Sequence, residues 1–204
     1  MSHTIAVCGT AGAGKSTLVG ALEKALPDAT AIHIDSYQRI SEQPVRKIVE
    51  WMERGADFDE FSIPLIGEHL AQLRRGVAVR DPRSGRELRP AKYILFETHF
   101  GRAHRDSGRH VDLLLWIDTP LDVALARNVL DLIAPLIERH KLDVPWENIA
   151  ALQRYLAGYL ADVRRLRLAQ RELICAEADV ILDGAAPFEE LLARARAAIL
   201  ERFP

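Results

Sequence analysis

Apolar residues along this chain follow two alternating patterns. Short, nearly unbroken apolar runs at Thr4–Cys8, Ala31–Ile34, Tyr93–Phe96, Val111–Ile117 and Val180–Leu182 predict strands buried on both faces. Between them, apolar positions recur every three or four residues. Leu18, Val19, Leu22, Ala25 and Leu26 form such a series, which Pro27-Asp28 ends. Further helical stretches are predicted near 45–54, 63–75, 120–140, 147–174 and 187–202. Strand runs alternating with helical runs predict an α/β fold, a parallel sheet covered on both faces by helices. Residues 76–92 break the pattern and predict a small hairpin, with Asp81-Pro82-Arg83-Ser84-Gly85 as its turn. No repeat or low-complexity segment interrupts the 204 residues, so one domain over 1–204 is expected.

Composition narrows the function classes. Hydrophobic content of 49% and charged content of 27% are ordinary for a soluble globular chain. A net charge of −2 gives no reason to expect a nucleic acid or an anionic membrane as partner. No apolar run approaches the ~18 residues of a membrane span, and no signal-peptide pattern is expected. The two cysteines, Cys8 and Cys175, make neither a disulfide framework nor a metal spacing. A reducing cytoplasm is the expected location, with Cys8 a small core residue of the first strand.

The chemistry is concentrated first in Gly9-Thr10-Ala11-Gly12-Ala13-Gly14-Lys15-Ser16-Thr17, which fits the phosphate-loop pattern G-x-x-x-x-G-K-[ST]. It lies between a strand run and a helical run, the context the motif requires. Backbone N–H groups of Thr10 to Thr17 are expected to cradle phosphate oxygens. The Lys15 ammonium would reach the β- and γ-phosphates, the Ser16 hydroxyl would bind Mg²⁺, and Thr17 would bond near the α-phosphate.

Ligands of parallel α/β sheets sit at the carboxyl ends of the strands. Two carboxylates occupy such positions, Asp35 after the second strand and Glu97 after the third. Each suits either Mg²⁺ ligation or acceptance of a proton from an attacking hydroxyl, and each also suits a plain helix or turn cap. In Asp57-Phe58-Asp59-Glu60-Phe61, acids alternate with aromatics before a helix, which fits a helix N-terminus or an acceptor site equally. The segment 101–110, with Arg102, His104, Arg105, Arg109 and His110, is either a solvated basic loop or a contact for an anionic or polyhydroxyl acceptor.

With these motifs in hand, the chain resembles the uridine kinase and phosphoribulokinase-like branch of the P-loop kinases. Asp35-Ser36-Tyr37 resemble that family's Asp-x-Tyr motif, and 57–61 is similar to its Asp- and Phe-rich segment. The 77–90 hairpin and Arg89 to Glu97 resemble its acceptor hairpin and the strand that follows. Ile117-Asp118-Thr119-Pro120-Leu121-Asp122 resembles the next strand end. Tyr159, Val163-Arg164 and Ala178-Asp179-Val180-Ile181-Leu182 are similar to the approach to the last strand. The resemblance implies a three-layer fold with a five-stranded parallel sheet in the order 2-3-1-4-5 and a lid region at about 125–145. It implies transfer of a phosphoryl group from ATP, with Mg²⁺, to a small-molecule hydroxyl. Lys15, Asp35, Glu97 and Arg127 would be catalytic, with Asp35 as base, and Ser16 and Glu97 would hold the metal. Tyr37, Phe58, Arg102, His104 and Arg164 are candidate acceptor contacts. The sequence departs from the family where Thr98-His99 replace the Gly after Glu97. It departs again in the lid, where Arg127 is the basic residue and Arg139, His140 and Lys141 come later. The long helical stretch 120–174 suits either a lid or a homodimer face. A regulatory P-loop NTPase acting on a protein partner, with Glu97 in the Walker-B place, is the alternative.

Overall fold

The computed structural model describes residues 1–37, 50–51, 54, 57–60, 63–140 and 145–204, without the side chains of Phe58, Arg139 and His140. The helix expected near 45–54 lies largely outside the described residues. The central sheet has five parallel strands. In chain order they are β1 His3–Gly9, β2 Ala29–His33, β5 Tyr93–Glu97, β6 Leu113–Asp118 and β7 Val180–Asp183, arranged β2-β5-β1-β6-β7. Counting only these strands, the order is 2-3-1-4-5, as expected. The predicted hairpin is present as the antiparallel pair β3 Val79–Arg80 and β4 Glu87–Leu88.

Alternation along each strand explains why the runs are apolar throughout. Ala6, Cys8, Ile32, Ile94, Phe96, Leu114 and Trp116 pack on one face, against Ile66, Leu70 and Leu73 of α2 (Pro64–Arg74) and Ile174 of α6 (Arg164–Cys175). Ile5, Val7, Ala31, Tyr93, Leu95, Leu115 and Ile117 pack on the other, against Leu18, Val19 and Leu22 of α1 (Lys15–Ala25). Leu191, Ala195 and Ile199 of α7 (Phe188–Arg202) complete that second layer. Burying such a side chain contributes about 1.5–3 kcal/mol, so the two layers lock the sheet from both sides. Cys8 is among the fully buried residues, and burial pushes its thiol up to about 12.

Three helical features refine the sequence reading. A short helix, α3 (Arg105–Gly108), closes the basic 101–110 segment. The 120–140 stretch forms α4 (Leu121–His140), with Pro135 inside it. The 147–174 stretch forms α5 (Trp146–Gly158) and α6, joined through a π turn at Tyr159–Val163. No described helix is long and apolar enough to cross a membrane.

The chain builds from β1 toward one edge through β2 and β5, and toward the other through β6 and β7. The strand order therefore reverses at β1, and a crevice opens outside the carboxyl ends there. The 9–14 loop leaves β1 at that point.

Candidate active site

The loop geometry follows from its glycines. Gly12 and Gly14 take φ of 82° and 93°, in the left-handed region that a Cβ disfavours. A Cβ on Gly12 would also collide with the backbone oxygen of Ala124 in α4. Gly14 caps α1, and the first turn of that helix carries no acidic residue. Its N–H groups and dipole therefore favour an anion. Lys15 is only 5% exposed and folds back on the loop, donating to the carbonyls of Gly9 at 3.1 Å and Thr10 at 3.2 Å. Burial holds its ammonium below the usual lysine range, against the pull of Glu97 and Asp35.

Glu97 ends β5 beside this loop. Its Oε1 accepts from the Ser16 hydroxyl at 2.6 Å, and its Oε2 pairs with Nδ1 of His33 at the end of β2. Burial works against the charged carboxylate, but the His33 and Ser16 hydrogen bonds outweigh it and hold Glu97 below its ordinary value. The same bond raises His33. Ser16 and Glu97 thus present hard oxygens side by side, the donor set Mg²⁺ takes when it keeps most of its waters. Among the described residues no cluster of three or more His, Cys, Asp or Glu side chains is placed to hold a metal.

Asp35 sits in a short 3₁₀ turn, Ile34–Ser36, just past β2. Its Oδ1 lies 3.4 Å from Nε2 of His99, with the Asp35 side chain 51% exposed. Burial, and then the nearby Lys15 charge, push His99 below the usual histidine range, so its neutral form is favoured. The His99 carbonyl accepts from Gln170 Nε2 of α6 at 2.8 Å, which fixes the ring's backbone. Tyr37 bonds through its hydroxyl to His69 Nδ1 of α2 at 2.8 Å, and burial raises the phenol. The hairpin is tied to the same loop. Asp81 gathers the N–H groups of Arg83 and Ser84 and the Ser84 hydroxyl, and also takes a hydrogen bond from Ser36.

The remaining sequence candidates are distributed differently. Arg102 reaches Asp179 at 2.5 Å and the Glu177 carbonyl at 2.9 Å. Asp179 precedes β7, so this guanidinium serves the amino end of the sheet, opposite the phosphate loop. His104 is fully buried, with Nδ1 2.8 Å from the Ser107 hydroxyl in the core beside Phe100. Arg127 donates to the Gly184 carbonyl at 3.1 Å, next to the outermost strand on the side away from Asp35. Arg164 is exposed at the start of α6. Phe58 lies in a 3₁₀ turn, Phe58–Glu60, where Asp59 pairs with Arg105 and Glu60 with Arg54. In the expected lid, Arg139 and His140 end α4, and Lys141 lies outside the described residues.

Sequence reasoning passed over His33, His99 and Arg167. His99 was visible as the departure after Glu97. Arg167 had a subtler signal: with Val163, Gln170 and Ile174 it falls on the inward stripe of a helix, where an arginine is out of place.

No family model matches the chain, and no curated protein matches it. Among solved structures, an unliganded sugar kinase from Janibacter sp. HTCC2649 superposes with a TM-score of 0.54 at 17% identity, covering 100% of this chain and 97% of that one. Shikimate kinase from Acinetobacter baumannii, in complex with shikimate, matches at TM-score 0.49 and 16% identity, over 100% and 96% of the two chains. A possible uridine kinase from Bacillus stearothermophilus matches at TM-score 0.43 and 16% identity, over 89% of each. The sheet order, the glycine loop at its switch point and the superposition on the sugar kinase together show a three-layer α/β fold that this chain shares with that structure.

Proposed function

We propose that this protein is an ATP-dependent small-molecule kinase that transfers the γ-phosphoryl group to a hydroxyl of a nucleoside-, sugar- or vitamin-like acceptor. The observation that carries this reading is the Ser16–Glu97 contact of 2.6 Å beside Lys15, with Asp35 presented from the neighbouring strand end. A nucleotide-binding module needs the loop alone. A carboxylate facing the same crevice from a second strand adds the group that an acceptor hydroxyl requires.

In this reading the loop N–H groups and the start of α1 hold the phosphates, and Lys15 turns from the Gly9 and Thr10 carbonyls toward them. Ser16 and Glu97 hold Mg²⁺, which supplies charge neutralisation at the phosphates when bound. Asp35 orients the acceptor hydroxyl and takes its proton, while His99 holds the Asp35 carboxylate in place. Tyr37 and His69, with the Asp81-anchored hairpin above them, wall the acceptor side. Arg102 and His104 are committed to the scaffold and have no acceptor contact in this reading. Positioning and electrostatics supply most of the rate in such a transfer.

The test is ATP consumption measured with and without a panel of nucleosides, sugars and vitamins. Strong stimulation by one acceptor, with its phosphorylated product seen by mass, is the expected result. ATP hydrolysis indifferent to every small molecule and raised by a protein partner would instead establish the regulatory NTPase.

A further inference from the structure

One buried charge has no task in the mechanism above. Arg167 is 6% exposed, and its Nη1 is sealed from solvent with no hydrogen-bonding partner among the described residues. A buried guanidinium N–H group that finds no acceptor is costly. Its guanidinium lies 5.1 Å from the ring centroid of Tyr159, itself 3% exposed, whose hydroxyl bonds to the Leu121 carbonyl at 3.4 Å. A ring face offsets only part of the lost hydration.

The backbone is shaped to produce this arrangement. Residues eight apart in an unbroken α-helix differ by about 80° around the axis. The π turn at Tyr159–Val163 absorbs one residue and reduces that difference to about 20°. Tyr159 and Arg167 thereby share the inward face. Two further contacts fix where that face points. Arg171 grips Asp118 with two hydrogen bonds of 2.7 Å, which pins α6 to the carboxyl end of β6. Gln170 holds the His99 carbonyl, next to Asp35. The Arg167 charge also reaches Lys15, adding to burial in disfavouring a second cation there. Tyr159 bonds at the start of α4, whose Ala124 packs on Gly12 of the loop, and Gln170 bonds beside Asp35, so the stretch of α6 that carries Arg167 runs between the glycine loop and Asp35.

We propose that Arg167, seated on Tyr159 by the π turn, forms with Lys15 a subsite for a phosphate oxyanion, occupied by the terminal phosphate of a nucleoside triphosphate bound on the 9–17 loop. This deepens the kinase reading and rests on it. It assigns recognition of the third phosphate to a fixed helix instead of the Arg127 or Arg139 of a lid.

The experiment is calorimetric titration of the full chain, in magnesium buffer, with ADP and with the β,γ-imido analogue of ATP. Inorganic phosphate added to the ADP complex is a third arm. Wild type, Arg167→Met and Arg167→Lys are compared, with folding checked by circular dichroism. Wild type binds the imido analogue more tightly than ADP. In Arg167→Met the analogue weakens about 10- to 100-fold while ADP changes less than about threefold. Arg167→Lys, a point charge without the planar fork, lies between the two. Should the methionine variant not fold, the lysine variant decides alone: a selective loss for the analogue supports the subsite and an unchanged preference overturns it. Equal loss for ADP and the analogue, or no loss for either, overturns it as well. Loss of phosphate binding with analogue affinity intact assigns the subsite to a free or acceptor-borne phosphate and overturns the terminal-phosphate assignment. An intact triphosphate preference without any acceptor being phosphorylated removes the kinase reading and leaves the subsite. Acceptor phosphorylation with wild-type analogue affinity in Arg167→Met does the reverse.

Discussion

In the kinase proposed above, the phosphate side and the acceptor side of the crevice are built in opposite ways. On the phosphate side, one stretch of nine residues supplies the loop, the ammonium and the hydroxyl. Lys15 is buried and already bonded to the loop's own carbonyls. On the acceptor side, Asp35 comes from the end of β2, His99 from beyond β5, His69 from α2 and Asp81 from the hairpin. The Asp35 side chain is half exposed and meets His99 at 3.4 Å, while Tyr37 meets His69 from a different pair of elements. A site made of contiguous backbone is rigid because its geometry is local. A site assembled from four elements depends on their packing, and each contact can be exchanged without unfolding the others. The geometry of the proposed acceptor side therefore depends on tertiary packing.

Substitutions on the two sides should separate accordingly. The largest effect is expected on the phosphate side: Lys15→Ala should abolish turnover, a loss of at least about 3–4 kcal/mol in transition-state stabilisation, measured as kcat in a coupled ATPase or kinase assay. Asp35→Asn should lower kcat about 10²- to 10⁴-fold while leaving ADP affinity by calorimetry within about twofold of wild type. Near-normal turnover in that variant would remove Asp35 as the base. His99→Ala should cost less than Asp35→Asn, and the double variant should be no worse than Asp35→Asn alone, because His99 acts through Asp35. Additive losses would place His99 on the acceptor itself.

Asp81→Ala should release the hairpin from Ser36 and raise the acceptor KM several-fold with kcat little changed. It should cost about 1–3 kcal/mol in urea unfolding, because backbone N–H groups lose their partner. The smallest effect is expected from the His33–Glu97 pair. His33 is raised in the folded state, so its stabilising contribution is complete below its unfolded value and fades as pH rises through the elevated one. Glu97 is depressed, so its contribution is present above the unfolded carboxylate range and fades as pH falls through the lowered value. The pair therefore stabilises between those limits. The Tm advantage of wild type over His33→Gln should be largest between the two titrations and shrink as pH rises through the elevated His33 value, with the pair contributing under about 1 kcal/mol. A difference that is flat from acid to alkaline pH would show that the pair is packing alone.

The strand runs were readable because both faces of the sheet are buried, which leaves residues 5–8 of β1, 93–96 of β5 and 113–117 of β6 apolar. The hairpin was readable from its Asp-Pro-Arg-Ser-Gly turn. The π turn was not, since the apolar spacing of 147–174 tolerates either register through Tyr159–Val163. The two uses of the basic 101–110 segment could not be separated either. Only the contact of Arg102 with Asp179 and the burial of His104 distinguish a strut from a ligand.

The sequence by itself determined the alternation of strands and helices, the phosphate loop and the position of Asp35 and Glu97 after strand runs. Each of these is encoded locally, by the burial period, by glycines that admit positive φ, and by residues next to a strand end. Tertiary structure decided which of the many charged side chains meet. It brought Ser16, Glu97 and His33 together across three elements, His99 to Asp35, and Arg167 onto Tyr159. Those pairings depend on the registers of β2, β5 and β1 and on one extra residue in a helix turn. No spacing along the chain records the first of these, because Ser16 and His33 meet Glu97 from 81 and 64 positions away, and Arg167 meets Tyr159, eight residues before it, only through the extra residue of the π turn.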